Sequence, residues 1–354
     1  MQMIDFLSFA KRHFEQKLPF VLFSKPNQDK IVGLFQKNGE LFFAENFDEP
    51  GFVFASFDGK KQILIPENQC EIKVIDFVFE VNSSNDFSVL ENGNGKEAFE
   101  NLVQKGIDAI ENGSFQKVVL SRKEIVAVEN LDFTVVFERL LQTYPTAFNY
   151  CWFHPKVGMW IGATPEQLLK ADGLKINTVA LAGTQKYEKD KEVIWGEKEI
   201  EEQKIVTDFI ADNLKDITSE LSTSKPYTLK AGTILHIKTD IEAVLNPENN
   251  LKKVLQILHP TPAVCGLPKA VSRDFILENE GYKREFYSGF LGELNKDFVT
   301  AENKSDLFVN LRCMQIKESQ AHLYIGCGVT KDSVPEKEFV ETANKAVTMK
   351  RILL

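Results

Sequence analysis

The sequence predicts an α+β fold in which large, mostly antiparallel sheets pack together and carry flanking helices. Short apolar runs punctuated by Gly, Asn, Asp and Pro fill most of the chain and indicate strands. Several longer stretches place apolar residues at helical spacing. The strands come in runs and do not alternate strictly with helices, which disfavours a parallel, doubly wound sheet. With 354 residues the chain can bury a large core, and we expect a single domain over 1–354.

The first part of the chain, residues 1–95, is predicted to be β-rich. An amphipathic helix over 4–16 precedes apolar runs over 19–80 that are typical of an antiparallel meander. The polar, turn-rich stretch 83–97 is the candidate boundary or long surface loop. The second part, 96–354, carries every motif discussed below.

Helices and strands are also expected throughout this second part. The helices are predicted near 97–112, 132–143, 190–213, 250–257, 268–279 and 335–353. The strands are predicted at 116–128, 148–153, 157–162, 166–170, 174–182, 227–232, 234–246, 286–294, 306–317 and 321–330.

The charge balance argues against a nucleic-acid partner. The chain has 42 basic and 51 acidic residues, a net charge of −9, and no basic block. A small anion can still bind where local Arg, Lys, metal or backbone N–H groups reverse the field. Local sites of positive charge are therefore the candidates for anion binding.

The cysteines and the N-terminal stretch favour a cytoplasmic protein. Five cysteines are odd in number and widely spaced, without the pairing typical of zinc sites or disulfide frameworks. Charges interrupt the apolar positions of the first sixteen residues, and no stretch approaches the ~20 apolar residues of a membrane span. No membrane association is expected.

Residues 259–268 are predicted to form a rigid, irregular turn. Pro260, Pro262 and Pro268 fix φ and remove N–H donors, so neither a helix nor a central strand can pass through. His259 is the side chain there that can both donate and accept a proton. The turn either walls a ligand site or only leads into the next helix.

Two predicted helices each carry a pair of glutamates three residues apart, Glu199 with Glu202 and Glu338 with Glu341. This spacing places each pair on one helical face. Glu202 and Glu341 share their faces with apolar residues, where an unpaired carboxylate is costly. Either they are solvated helix charges, or they supply the oxygen ligands that Mg²⁺ prefers.

Other candidates are weak singly. Lys117 opens the run KVVLSR and resembles an edge lysine, whereas Glu166 follows a proline where a turn can shield it from water and raise its pKa. Arg312 interrupts an alternating strand. Gly326 and Gly328 can expose backbone N–H groups to an anion.

The order of the motifs is more specific than any one of them. The chain resembles the chorismate-utilising enzymes over residues 96–354, and within them the isochorismate synthase branch. The motifs that carry the resemblance are KVVLSR, GATPEQLL, LAGT, EIEEQKIV, HPTPAVCGLP with REFYSGFLG, NLRC, IGCGV and EFVETANK.

The resemblance implies an acid and a base on opposite sides of the chorismate ring. Lys117 would take a proton from the water that attacks C2, while Glu166 would protonate the departing C4 hydroxyl. A lysine base needs a pKa far below the usual value of about 10.4, and Glu166 needs its pKa raised.

The resemblance also implies a metal and a substrate site. Glu202 and Glu341 would be Mg²⁺ ligands, supported by Glu199 and Glu338. The substrate would contact Ala182, Gly183, Thr184, His259, Ala263, Arg312, Gly326, Gly328 and Lys345.

Two small residues select the branch in this comparison. Ala182 stands where aminodeoxychorismate synthases carry a lysine nucleophile, and Ala263 stands where aminating and salicylate-forming relatives carry Thr or Ser, so water is the expected nucleophile. Gln203 departs from the Glu-His pair of many relatives, which puts metal affinity in question.

The alternatives are a salicylate synthase, an aminating anthranilate-type synthase and a non-catalytic anion-binding protein. We expect a monomer that acts without a glutaminase subunit. Whether it serves menaquinone or siderophore biosynthesis stays open.

Overall fold

The computed structural model describes residues 1–78, 95–187, 193–231 and 234–353. The predicted boundary loop therefore lies almost entirely outside the described residues. Within them, no helix is long and apolar enough to cross a membrane. The five cysteines are buried free thiols.

Seven α-helices occur in the described ranges, and all were predicted to within a few residues except at the start of α4. Asp132 caps α3 by accepting the Thr134 N–H, and Asn250 caps α5 through the Lys253 N–H. The helices are α1 Met3–Glu15, α2 Lys96–Glu111, α3 Phe133–Thr143, α4 Glu197–Leu214, α5 Leu251–Leu258, α6 Lys269–Asn279 and α7 Pro335–Leu353.

The strands number nineteen in the described residues. They are β1 Phe20–Ser24, β2 Lys30–Gln36, β3 Phe42–Phe43, β4 Gly51–Ala55, β5 Gln62–Pro66, β6 Cys70–Asp76, β7 Lys117–Ala127, β8 Phe148–His154, β9 Gly158–Thr164, β10 Gln167–Asp172, β11 Lys175–Lys186, β12 Thr218–Thr223, β13 Tyr227–Ala231, β14 Ile234–Leu245, β15 Gly266–Leu267, β16 Phe290–Leu294, β17 Lys304–Val309, β18 Cys313–Lys317 and β19 Gln320–Val329.

These strands form two sheets, and every described pairing is antiparallel, which confirms the predicted fold class. The nine-stranded sheet has the order β15-β7-β19-β18-β9-β8-β1-β2-β6. The ten-stranded sheet has the order β12-β14-β11-β10-β17-β16-β4-β5-β3, with β13 also paired to β14.

The N-terminal strands do not form the single meander that the sequence predicts. β1, β2 and β6 join the nine-stranded sheet beside β8, whereas β3, β4 and β5 join the ten-stranded sheet beside β16. Alternating apolar side chains indicate a strand but do not say which of two sheets it joins. The predicted strand over 306–317 is likewise split, because Arg312 has a φ of +47°.

The core has layers on both sides of each sheet. Aromatic side chains from the two sheets meet between them, for example Phe148 with Phe308 at a ring-centroid distance of 4.4 Å. Helices α1, α3 and α7 pack on the outer face of the nine-stranded sheet, and α4 and α5 on the outer face of the other. The result is a helix–sheet–sheet–helix sandwich.

Candidate active site

The predicted rigid turn lies against the strand that begins at Lys117. The turn ends in β15, whose Gly266 and Leu267 pair with Val118 and Lys117 of β7. Gly266 has a φ of +134°, and a Cβ there would lie 2.3 Å from the Lys117 carbonyl oxygen. Only glycine permits this approach, so the turn is fixed directly beside the Lys117 backbone.

Lys117 forms an ion pair with Glu202 of α4. The ammonium contacts Glu202 Oε1, and the two side chains are 16% and 32% exposed, so the pair faces a partly open space. Gly328 lies opposite on β19, where a Cβ would come within 3.2 Å of Lys117 Cε and 3.7 Å of Nζ. Glycine at this position leaves room for the lysine ammonium.

A second lysine–glutamate pair lies beside Gly326, two residues before Gly328 in β19. Lys345 Nζ is 2.5 Å from Glu341 Oε1 on α7 and donates to the Gly326 carbonyl at 3.0 Å. Its neighbour Arg312 reaches the Lys345 carbonyl at 3.5 Å. Gly326 and Gly328 therefore lie between two cation–carboxylate pairs.

The nine-stranded sheet opens at this point. Because β18 begins at Cys313, its pairing with β19 ends at Tyr324, and residues 325–329 pair only with β7 in the described structure. The left-handed backbone at Arg312 turns the chain before β18. Arg312, Lys345 and the two glycines share this gap in the sheet.

Glu166 lies where the chain passes from the nine-stranded to the ten-stranded sheet, between β9 and β10. Its carbonyl accepts the Val309 N–H at 2.9 Å, which fixes its backbone. Burial raises the pKa of the Glu166 carboxyl to about 7, against the opposing charges of Lys117, Lys345 and Arg312. A carboxyl close to three cations, yet able to hold a proton near neutral pH, is a feature typical of functional sites.

The LAGT motif forms a bulge in β11. The register to β14 shifts between Ala182 and Thr184, and Gly183 has a φ of +68°. A Cβ on Gly183 would lie 3.1 Å from Glu199 Cβ, so the bulge packs against the first turn of α4. The Gly183 carbonyl accepts a hydrogen bond from His236 Nδ1 at 3.0 Å.

The four predicted metal ligands lie on two helices, as pairs. Burial and then the like charge of Glu341 raise the pKa of Glu338, which also has Ser333 and Cys327 as hydrogen-bond partners. The described residues include no group of three or more His, Cys, Asp or Glu side chains that could hold a metal ion. Carboxylate oxygens are the donors that Mg²⁺ prefers. Glu338 lies beside Glu341, whereas Glu202 and Glu341 are each paired with a lysine ammonium, Lys117 and Lys345.

Glu199 and Gln203 of α4 both have contacts within the protein. The Glu199 carboxylate lies over the start of its own helix, where a Cβ on Gly196 would be 2.6 Å from Oε2. Gln203 is buried, and its amide donates to Thr207 at 2.8 Å and Thr239 at 2.6 Å. Gln203 thus holds α4 on the sheet below.

His259 uses one ring nitrogen inside the protein. Nε2 donates to the Ser56 carbonyl at 3.1 Å, and the ring packs edge-on against Phe290. Burial lowers the pKa of His259 to about 4, so the imidazole is neutral at pH 7. Ala263 is half-buried in the same turn, one residue before Val264.

The sequence reasoning did not single out Tyr287. Its side chain is 3% exposed, and a Cβ on Gly326 would lie 2.7 Å from its hydroxyl oxygen. Tyr287 therefore lies beside Gly326, close to the gap in the nine-stranded sheet. Tyr287 lies within the REFYSG motif, so the signal was present but was not resolved to this residue.

An open cleft of about 330 Å³ lies on another side of Glu166. Among the predicted site residues only Glu166 lines it. Its other walls include Lys25, Lys170, Lys238 and Asp306. The Lys117 side of the site does not contribute to this cleft.

The layered antiparallel fold brings two cation–carboxylate pairs, Lys117 with Glu202 and Lys345 with Glu341, to one candidate site. A family model described as chorismate binding enzyme matches residues 68–354. The chain therefore belongs to the chorismate-binding enzyme family.

Curated relatives agree with this assignment. The chain is 30% identical to isochorismate synthase EntC of Escherichia coli strain K12 over 261 residues, which cover 71% of this chain and 66% of that protein's length. It is 28% identical to isochorismate synthase DhbC of Bacillus subtilis over 73% of this chain and 68% of the relative. Anthranilate synthase component 1 of Lactococcus lactis is 29% identical over 71% of this chain and 56% of the relative.

Solved structures share the fold. MenF, the menaquinone-specific isochorismate synthase of Escherichia coli, has a TM-score of 0.78 at 21% identity, with 96% of this chain and 89% of MenF covered. DhbC of Bacillus anthracis has a TM-score of 0.76 at 24% identity, with 97% and 99% covered.

Proposed function

We propose that this protein is an isochorismate synthase, which isomerises chorismate reversibly to isochorismate. The observation that carries the proposal is the surroundings of Glu166: a carboxyl whose pKa burial raises to about 7, acted on by the charges of Lys117, Lys345 and Arg312. The similarity to EntC and DhbC, both named isochorismate synthases, supports the same reaction.

In this proposal Glu166 is the general acid. Its raised pKa keeps a proton available near pH 7, and that proton goes to the C4 hydroxyl as it leaves the ring. Glu166 is left as a negatively charged carboxylate, which the neighbouring cations stabilise. A pKa near neutrality suits a group that must be reprotonated in each cycle.

Lys117 is the general base in the same proposal. A deprotonated Lys117 amine takes a proton from the water that attacks C2, and Gly328 leaves the space in which this amine moves. The ion pair with Glu202 holds Lys117 at a defined position before substrate binds. The base comes from the first residue of β7, and the acid comes from the connection between β9 and β10.

Arg312 and Lys345 bind the carboxylates of the substrate. Both lie at the gap in the nine-stranded sheet, where Arg312 can offer a planar pair of N–H donors. Mg²⁺ held by Glu202 and Glu341, with Glu338 and Glu199 in support, would supply further positive charge to the ring carboxylate. Thr184, Ala182 and Ala263 complete the proposed contacts.

One incubation tests the proposal. Purified protein, chorismate and Mg²⁺ are combined without ammonia, and the products are separated by chromatography. We expect isochorismate, and the same equilibrium mixture when isochorismate is the starting material. Salicylate with pyruvate as the main products would assign a salicylate synthase, and anthranilate formed with added ammonia would assign an aminating enzyme.

The absence of any turnover would favour an anion-binding protein instead. The proposal also includes a monomer that works without a glutaminase subunit, which size-exclusion chromatography of the active preparation checks. One solved structure that shares the fold is described as menaquinone-specific and another as 2,3-dihydroxybenzoate-specific, so the pathway is not part of the proposal.

A further inference from the structure

The rigid turn and the Lys117 strand pair only briefly. After Gly266 pairs with Val118, the last backbone hydrogen bond runs from the Val119 N–H to the Cys265 carbonyl at 2.8 Å. The next groups on this edge of β7 are the Val119 carbonyl and the Ser121 N–H. No strand reaches them in the described structure, although buried backbone groups need partners.

A buried ion pair takes the place of the missing strand. Arg284 NH2 donates to the Val119 carbonyl at 2.6 Å, and Glu280 Oε1 accepts the Ser121 N–H at 2.7 Å. The Ser121 hydroxyl donates to the same carboxylate at 2.8 Å. One acceptor and one donor on the strand edge are therefore satisfied by side chains.

The same guanidinium also holds the turn. Arg284 NH1 donates to the Val264 carbonyl at 3.0 Å, one residue after Ala263. The single planar group thus spans Val119, two residues after Lys117 in β7, and the turn that carries Ala263. Its rigidity sets the separation between the two segments.

The Arg284–Glu280 ion pair is buried away from water. Arg284 and Glu280 side chains are each 1% exposed and lie 2.5 Å apart, with Arg284 Nε donating to Glu280 Oε2 at 2.8 Å. The guanidinium also lies over the Phe57 ring at 4.4 Å. Burying an ion pair costs both charges their hydration, and this cost can exceed the energy of their attraction. A gain in stability therefore does not explain the contacts of Arg284 and Glu280.

We propose that Arg284 and Glu280 are positioning residues that set the distance between Lys117 and the Ala263 turn, and thereby the placement of the substrate ring against its base. The inference rests on the proposed function. Neither residue contacts the substrate in this account, since both act through the backbone of β7 and of the turn.

Arg284→Lys tests the inference. A lysine keeps the charge but has one nitrogen, which cannot reach Val119, Val264 and both Glu280 oxygens together. Arg273→Lys on α6 is the matched control, because the Arg273 side chain is 38% exposed and forms an ion pair with the adjacent Asp274 at 3.5 Å. The measurements are kcat and KM for chorismate, per folded molecule, with circular dichroism to report the folded fraction.

We expect kcat of Arg284→Lys to fall by about 100-fold, as for a displacement near 1 Å between reacting groups, with KM close to that of the parent. Arg273→Lys should match the parent in both. A lower melting temperature together with parental kcat per folded molecule would overturn the inference, because it would leave only a structural role.

Ser121→Ala covers the case in which Arg284→Lys does not fold. It removes one uncharged donor to Glu280 and should lower kcat less, again with KM unchanged; a parental kcat would overturn the inference. A parent that forms no isochorismate would overturn the proposed function and this inference with it, whereas an active parent with an equally active Arg284→Lys overturns the inference alone.

Discussion

The two sides of the site carry the same functional group in opposite surroundings. On one side, Glu166 lies in the connection between β9 and β10, and burial raises the pKa of its carboxyl to about 7. On the other, Glu202 lies on a helix, is 32% exposed and forms an ion pair with Lys117. The first environment suits a carboxyl that carries a proton, and the second suits one that holds positive charge. Environment assigns the roles, because the side chains are identical.

Removing the acid is expected to have the largest effect. Glu166→Gln keeps the size and hydrogen-bonding shape but has no proton to give, so kcat should fall by about 10²- to 10⁴-fold. Steady-state chorismate assays check this, with exposed Glu201→Gln as the control. A near-parental rate would mean that the buried carboxyl is not the acid.

Removing the base should cost a similar amount. Lys117→Ala leaves no group to take the proton from the attacking water, so we expect turnover to fall by about 10²- to 10⁴-fold with the fold intact. Lys123→Ala, exposed on the same strand, is the control. The base assignment fails if Lys117→Ala turns over like Lys123→Ala.

Replacing Glu202, on the other side of the site, should affect the Mg²⁺ dependence of activity more than the chemical step. Loss of a residue that only supports a metal ligand lowers metal affinity by about 10- to 100-fold. Glu202→Gln removes a proposed ligand itself, so the Mg²⁺ concentration for half-maximal activity should rise by at least that factor. A Mg²⁺ titration of activity measures it, with Glu201→Gln again as control. If the titration curve does not move, Glu202 serves only to hold Lys117.

The pH dependence sharpens the same comparison. Because Glu166 must be protonated to act, kcat/KM should decline as pH rises through about 7, by about tenfold for each further unit.

The folded protein also binds this proton more tightly than the unfolded chain, whose carboxyl titrates near 4.5. The free energy of unfolding should therefore decrease from about pH 4.5 to 7, and less so in Glu166→Gln. Equal pH profiles of stability in parent and variant would contradict the buried acid.

The smallest expected effect is at Gly328. A Cβ there would press on Lys117 Cε at 3.2 Å and shift a flexible side chain by a few tenths of an ångström, so kcat should fall by less than the roughly 100-fold of a 1 Å displacement. Gly326→Ala is a useful contrast, since its Cβ would meet the Leu120 carbonyl oxygen at 2.9 Å and should reduce stability instead. Thermal melts beside kinetics separate the two. A destabilised Gly328→Ala with parental kcat would remove the argument for space around Lys117.

Much of the fold followed from local patterns. Helix positions came from apolar spacing and from caps such as Asp132, both of which depend on neighbours in sequence. β12 was not predicted, because Thr218–Thr223 is polar and exposed and is a strand only through its pairing with β14. The break at Arg312 was visible as an interruption of alternation, but its left-handed backbone was not.

The contacts of the site were harder to foresee. The motifs identified Lys117 and Glu202 separately, but their ion pair joins a strand of one sheet to a helix lying over the other. No local pattern in the sequence marks Glu280 and Arg284 as buried, because their burial follows from the early end of β15. Such relations depend on sheet order, which no local pattern encodes.

The division of the N-terminal strands between both sheets has a consequence for how the chain is made. β1 needs β8 and β4 needs β16, and both partners leave the ribosome much later than the strands that await them. Neither sheet can close during synthesis of the first part, so most of the folding must follow translation of the last strands. Until then the edges of β1 and β4 that pair with β8 and β16 lack their partners, and the side chains that both strands bury in the folded protein lack that shielding.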